Sequence, residues 1–184
     1  FLSQLLTARD ADGTALTGDE LVTTAILLLN AGHEATVHAI GNGVQALLTG
    51  AAPATFLTAP ATCTEEMLRF DPPLHMFKRY ALEDVDYGGI KLQRGDQIGL
   101  LLASANRDEQ KFPLPDIFNP TRSPNPHLSF GAGIHFCIGA PLARLELQTA
   151  LRVLCERLPT LRPDGKARYR DTWHFHALES LPVS

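Results

Sequence analysis

Apolar residues dominate from Leu21 to Leu48, and the stretch is preceded by Thr17-Gly18-Asp19-Glu20, the Thr-x-x-Glu form of a capping box. This pattern predicts one helix to about Thr49, spanning about 47 Å at 1.5 Å per residue. Its centre is unusual, because Asn30, Gly32, His33, Glu34 and Thr36 interrupt a run of Leu, Ile, Val and Ala. Gly50 to Pro60 is rich in Ala, Pro and Thr and reads as a loop. A second helix is expected over about Thr62 to Phe70, ended by Asp71-Pro72-Pro73, since proline cannot continue the hydrogen-bond ladder. Short β-like stretches follow at Met76–Leu82, Val85–Leu92 with a turn at Gly88-Gly89, and Gln97–Ala103. Asn106 to Pro126 reads as irregular coil, with prolines at 113, 115, 120, 124 and 126. After a glycine-rich loop from Phe130 to Gly139, Pro141 opens a helix to about Leu158, proline being suited to a first helical position. Leu147, Leu151, Leu154 and Leu158 make its expected buried stripe. The tail from Arg168 to Ser184 reads as a small hairpin.

These elements give a mainly α fold with small β-sheets, with no repeat and no linker dividing the chain. The 184 residues carry a formal charge of -4, which gives no general pull towards nucleic acid or an anionic membrane surface. The longest apolar run, Ala25–Leu29, falls well short of the roughly 20 residues that cross a bilayer, so no membrane segment is expected in this chain. Three scattered cysteines, Cys63, Cys137 and Cys155, do not make a disulfide framework, and a reducing, cytoplasmic setting is expected. The chain opens at Phe1 without methionine, and Phe1–Leu6 reads as the middle of a helix, so the sequence is expected to be part of a longer protein.

The richest chemistry lies in Phe130-Gly131-Ala132-Gly133-Ile134-His135-Phe136-Cys137-Ile138-Gly139. Small neighbours let a bulky group approach a cysteine sulfur, and glycine supplies unusual dihedrals. Cys137 also stands just before a helix N-terminus, where free N–H groups and the helix dipole favour a sulfur anion. Taken alone, the segment is better read as a buried structural cysteine in a glycine-rich turn. His174 and His176 alternate in the tail, but two ligands are too few for a metal site.

The run from Phe130 to Gly139 resembles the haem loop of the cytochrome P-450 family. Ala140-Pro141-Leu142-Ala143-Arg144-Leu145-Glu146 resembles the helix that follows it in bacterial members. Glu66-Met67-Leu68-Arg69 is similar to the family's Glu-x-x-Arg helix, and Phe118-Asn119-Pro120-Thr121-Arg122 to its meander. Ala31-Gly32-His33-Glu34 resembles the oxygen-binding part of the long central helix. Counting the haem loop and the helix after it as one, all four motifs stand in the family's order. The family's domain is about twice this length, so residues 1–184 correspond to its C-terminal, haem-binding half. The segment between Gly50 and Thr64 is several residues shorter than usual, as if a helix were clipped.

The resemblance implies haem b (iron protoporphyrin IX) with Cys137 as proximal thiolate ligand to the iron. It implies that His135 and Arg79 bind the propionates, and that Phe130, Gly131, Gly139 and Ala31 lie against the cofactor. Glu66, Arg69 and Arg122 become a structural ion network rather than catalytic groups. Glu34 becomes the proton-handling residue. The family places a threonine after this acid, but here the position is Ala35, and Thr36 lies about 100° further round the helix, so it is no simple substitute. Leu74, His75, Met76, Phe77 and Phe175 correspond to the substrate pocket, whose Met and Phe lining fits a small, largely apolar organic substrate. The implied activity is insertion of one atom of O2 into that substrate, with electrons from a ferredoxin-like donor approaching the Cys137 face. The alternative is a truncated haem-binding module with little or no turnover. A zinc protein or a cysteine hydrolase built on His135 and Cys137 leaves Glu66, Arg69, Arg122 and the glycine loop without a role.

Overall fold

The structure, a computed structural model, describes residues 2–9 and 11–184. The chain divides into two compact units, one ending at Ala35 and one running from Thr36 to Ser184, with the boundary inside the longest helix. In the first unit lie helix α1 (Leu2–Thr7) and the start of α2 (Gly18–Gly50); Phe1, the first residue of the expected opening helix, lies outside the described residues. The capping box forms as the sequence predicts. The Thr17 N–H donates to Glu20 Oε2 at 2.9 Å, and the Glu20 N–H donates back to Thr17 Oγ1 at 3.2 Å. Val22, Ile26, Leu27 and Leu29 are exposed, and so is Glu34.

In the second unit α2 becomes a core helix, burying His38, Ala39, Asn42, Val44, Ala46 and Leu47. Gly43 permits its close approach to Met67, since a Cβ there would stand 3.2 Å from the Met67 sulfur. The expected loop between Gly50 and Pro60 instead contains a short helix, α3 (Pro53–Thr58), starting from an extended Ala52 with Pro53 in its first turn. Phe56 explains it: fully buried, it joins Leu47, Cys63, Met67, Phe118, Leu151 and Cys155 in the main core. That anchor outweighs the alanine, proline and threonine composition. Helix α4 (Pro60–Phe70) follows and ends at Asp71.

Strand β1 (Met76–Tyr80) pairs antiparallel with β4 (Gln97–Leu101), Met76 opposite Leu101 and Tyr80 opposite Gln97. Between them β2 (Val85–Tyr87) and β3 (Ile90–Leu92) form a hairpin. Its turn residues Gly88 and Gly89 have φ of 61° and 85°, the left-handed pair that a two-residue hairpin loop requires. The β1 and β4 strands stop two residues earlier than the alternation predicts, and Leu102–Ala105 form a helical turn, α5, around buried Leu102. Beyond it no helix or strand occurs until a 3-10 turn at Gly133–His135. Helix α6 (Ala140–Arg157) buries Leu147, Leu151 and Cys155. Leu158 does not complete the expected stripe, because it caps the helix and is exposed. The tail hairpin pairs β5 (Arg168–Tyr169) with β6 (Leu178–Ser180). Among the described residues no helix is long and apolar enough to cross a membrane.

Candidate functional site

The cysteine loop is held by its own backbone. The Cys137 N–H donates to the Phe130 carbonyl at 2.9 Å, and the Ala140 N–H at the start of α6 donates to the Cys137 carbonyl at 3.2 Å. Gly131 and Gly133 take φ of 70° and 67°, a region that costs an L-residue about 1–2 kcal/mol. A Cβ on Gly139 would lie 3.8 Å from the Cys137 sulfur, so glycine there keeps one flank of the sulfur open.

Beneath the loop, Glu66, Arg69 and Arg122 meet in one buried cluster. Arg69 grips Glu66 with two bonds of 2.7 and 2.8 Å, and Arg122 Nε reaches both carboxylate oxygens at 3.2 and 3.0 Å. The Asn119 N–H and the Asn125 amide also donate to Glu66, at 2.9 and 3.2 Å. The remaining guanidinium donors close on main-chain carbonyls: Arg69 on Asn106, Pro115 and Ile117, and Arg122 on Pro113, Leu114 and Ile117. Five carbonyls of a segment with no helix or strand thus obtain partners from two side chains.

Asn106 carries the order on to the loop. Fully buried, it accepts from the Leu128 N–H and donates to Ser129 Oγ, both at 2.8 Å, and Ser129 Oγ donates to the Leu68 carbonyl at 2.7 Å. Residue 130, where the cysteine loop begins, is therefore placed by a chain of bonds starting at α4. A parallel tie runs through Glu65, which accepts from Arg144 at 2.7 and 2.9 Å. His127 Nδ1 accepts from the Ser129 N–H at 3.3 Å, which leaves Nε2 to donate to Glu65 at 3.0 Å. Burial alone would raise the Glu65 carboxyl, but these hydrogen bonds and the Arg144 charge pull it down to about 2. The Arg144 guanidinium lies 4.5 Å above the centre of the Phe130 ring. It is held more firmly protonated, first by its bonds to Glu65 and then, against the opposing effect of burial, by the charge of that carboxylate. Asn106, Asn125, Glu65 and His127 are ties the sequence did not single out, since asparagine and glutamate in coil and on helices have no distinguishing pattern.

Of the remaining candidates, His135 is exposed on the loop, and Arg79 is half-buried on β1 with one guanidinium nitrogen donating to the Lys78 carbonyl at 2.9 Å. Ala31, Glu34 and Ala35 belong to the first unit, Ala31 and Glu34 exposed and Ala35 half-buried. Thr36 opens the second and places its hydroxyl 3.5 Å from Glu146. Leu74 and Phe175 are brought together across an isolated β-bridge, with His75 beside them and Met76 and Phe77 beginning β1. The tail histidines separate. His174 packs edge-on against Phe77, whereas the His176 ring reaches Asp71 at 2.7 Å and stacks on His75. Burial pushes the Asp71 carboxyl up, but hydrogen bonds from His176 and His75 and their charges bring it below its ordinary value. The Tyr169 phenol beside it is pushed up to about 12, first by burial and then by the charge and hydrogen bond of Asp71.

A planar macrocycle held through sulfur needs an accessible thiol and apolar surroundings. Cys63 and Cys155 are buried, and burial raises both thiols, Cys63 to about 12. Cys137 alone among the three is half-buried, and its loop also exposes Ile134, Phe136 and Ile138. These residues fit a haem.

A mixed helical fold with small sheets, carrying a cysteine loop braced by a buried Glu-Arg-Arg cluster, is part of a haem-thiolate protein fold. The family model for cytochrome P-450 matches residues 60–172, and the chain belongs to that family. It is 46% identical over its whole length to the biotin biosynthesis cytochrome P-450 of Bacillus subtilis, covering 47% of that protein, and 42% identical to the monooxygenase PikC of Streptomyces venezuelae, covering 46%. The solved structure of P-450 BioI with acyl carrier protein ligated to hexadec-9Z-enoic acid superposes with a TM-score of 0.89 at 46% identity, over 99% of this chain and 47% of that one. The Bacillus subtilis bacillaene polyketide synthase enzyme PksS superposes with a TM-score of 0.92 at 42% identity, over 99% and 49%. The chain spans about half the length of the curated relatives it matches.

Proposed function

We propose that the chain supplies the haem-holding half of a monooxygenase that inserts one atom of dioxygen into a small, largely apolar organic substrate. Haem held on a thiolate supplies the dioxygen chemistry, the thiolate favouring O–O cleavage. Cys137 would hold the iron through its thiolate, and Phe130, Gly131, Gly139 and Ala31 would flank the cofactor. His135 and Arg79 bind the propionates, where a cation or donor offsets the desolvation of a carboxylate. Glu66, Arg69 and Arg122 touch neither substrate nor cofactor; they position the loop through Asn106 and Ser129. Glu34 relays protons, and with Ala35 in place of a hydroxyl-bearing residue that relay depends on water or on a substrate hydroxyl. Leu74, His75, Met76, Phe77 and Phe175 line the pocket. A ferredoxin-like donor docks on the Cys137 face, the shortest path to the iron.

The observation that carries this reading is the half-open Cys137 sulfur on a loop braced by buried charges. The test is to load the chain with haem, reduce it and add carbon monoxide. A red-shifted Soret band marks thiolate ligation, and Cys137→Ser is expected to abolish it. An unchanged band in that variant refutes the ligand assignment.

Ala35 favours a second reading, a haem-binding module with little turnover. Electrons supplied by a surrogate ferredoxin separate the two. Oxidised substrate supports the monooxygenase, and oxygen uptake ending only in peroxide supports the module.

A further inference from the structure

The tail and the segment at the end of α4 assemble a second group of ligand-type side chains, none of them on the cysteine loop. Asp71, His75 and His176 offer one carboxylate oxygen and two ring nitrogens, all within 4.8 Å of one another. The geometry points to a site for one divalent transition metal of the zinc class, bound by Asp71, His75 and His176, with water in the fourth position. Two imidazoles and one carboxylate with an open fourth place is a donor set that zinc and its neighbours accept. Calcium and magnesium, which take six or more oxygen ligands or an octahedron of oxygens, are not served by it.

Three features set the ligands in place before any ion arrives. The two backbone segments are laced together: the His75 N–H donates to the His174 carbonyl at 3.0 Å, the His176 N–H donates to the Pro73 carbonyl at 2.9 Å, and Leu74 bridges to Phe175 between them. Asn42, fully buried on α2, donates through one amide nitrogen to the carbonyls of His176 at 2.9 Å and Asp71 at 3.5 Å, tying both ligand-bearing segments to the same point. The Tyr169 ring lies flat on that of His176, with centroids 4.0 Å apart and planes 8° from parallel.

The distances need little adjustment. Two atoms each about 2.0–2.2 Å from one ion stand at most about 4.4 Å apart. The Asp71 oxygen already lies 2.7 Å from His176 Nδ1 and 3.8 Å from His75 Nε2. His75 is the ligand that moves. Its side chain is 35% exposed and its ring is stacked on that of His176 at 4.6 Å with a 23° tilt; swinging out of the stack turns its lone pair towards the other two. As the ion takes the place of the proton between His176 and Asp71, that proton passes to solvent and the neutral ring carries its hydrogen on Nε2, exchanged with solvent, so no other co-reactant is needed.

Cobalt(II) titrated into the whole chain tests the site, because it reports both coordination number and sulfur ligation. The expected result is one equivalent bound with the visible bands of four-coordinate cobalt, no near-ultraviolet thiolate-to-cobalt band, and full displacement by zinc. His75→Ala, which removes a half-exposed side chain, is expected to weaken binding at least about tenfold, in the range that lost metal-site contacts produce, with unchanged far-ultraviolet circular dichroism. Asp71→Asn is expected to act likewise, and if it unfolds the chain, His75→Ala alone decides. Absence of saturable binding overturns the proposal, as does binding that His75→Ala leaves intact or that appears only as a thiolate band from Cys137. The proposal does not rest on the haem reading, and its failure leaves that reading untouched.

Discussion

Glu66→Gln removes the one negative charge in a fully buried cluster that holds two guanidinium groups, Arg69 and Arg122. Glutamine has nearly the same shape, so the substitution opens no cavity. What changes is charge: one acceptor oxygen becomes an amide donor facing guanidinium donors, and two cations are left without a counter-ion. Removing one partner of a buried pair costs about 3–5 kcal/mol, and with two cations affected the upper half of that range applies, about 4–5 kcal/mol. In a protein of this size each kcal/mol moves the melting temperature by about 2–4 °C, so the midpoint is expected to fall by about 8–20 °C. Circular dichroism melts of both proteins measure this. Hydrogen exchange is expected to accelerate at Leu128–Cys137, which Asn106 and Ser129 connect to the cluster. Adding Arg122→Gln to Glu66→Gln is expected to cost less than the sum of the two single changes, because the second removes a cation the first had stranded. A midpoint shift below about 2 °C, or strict additivity, refutes the view that charge compensation at Glu66 organises this region.

Gly131→Ala is expected to cost about 1–2 kcal/mol through its left-handed backbone, since the nearest atom to the new methyl, the His135 carbonyl oxygen at 3.6 Å, is at ordinary contact distance. The effect should appear as an approximately tenfold weaker haem affinity, and unchanged affinity would mean that the loop accommodates an L-residue. Glu65, drawn down from 4.5 to about 2 by its bonds to His127 and Arg144 despite burial, contributes stability that is fully present above its unfolded value and is lost as pH falls from about 4.5 towards 2. Arg144→Met is therefore expected to flatten the acid limb of the stability curve, and an identical limb in both proteins would count against the pairing. Ala35→Thr is expected to lower the share of oxygen that emerges as peroxide in the haem-loaded protein supplied with electrons. No change in that share means proton delivery bypasses the position.

The parts of the fold with strong local signals were legible. The reciprocal bonds of Thr17 and Glu20 follow from a four-residue pattern, and Pro141 marks a helical first turn. What was hidden depends on partners far along the chain. Helix α3 is set by Phe56 entering a core that also draws on Leu47, Phe118 and Leu151, so its alanine-proline-threonine composition pointed to a loop. The alternation of His174 and His176 was visible, but the carboxylate that receives His176 lies 105 residues away at Asp71. Glu34 sits among apolar neighbours in sequence, and yet it is exposed, as are Leu27 and Leu29 near it. The cysteine loop showed its glycines, whereas its bracing through Asn106 and Ser129 had no signature.

Every N–H of the Arg69 guanidinium is committed: two bonds to Glu66 and three to the carbonyls of Asn106, Pro115 and Ile117. Lysine, with three donors on a single nitrogen, leaves part of that set unanswered, so no other amino acid replaces this one. The three carbonyls, by contrast, are present whatever side chains stand at 106, 115 and 117. Within residues 107–121 the Arg69 clamp reads main chain only, so the side chains at 115 and 117 can change while the path through them stays fixed.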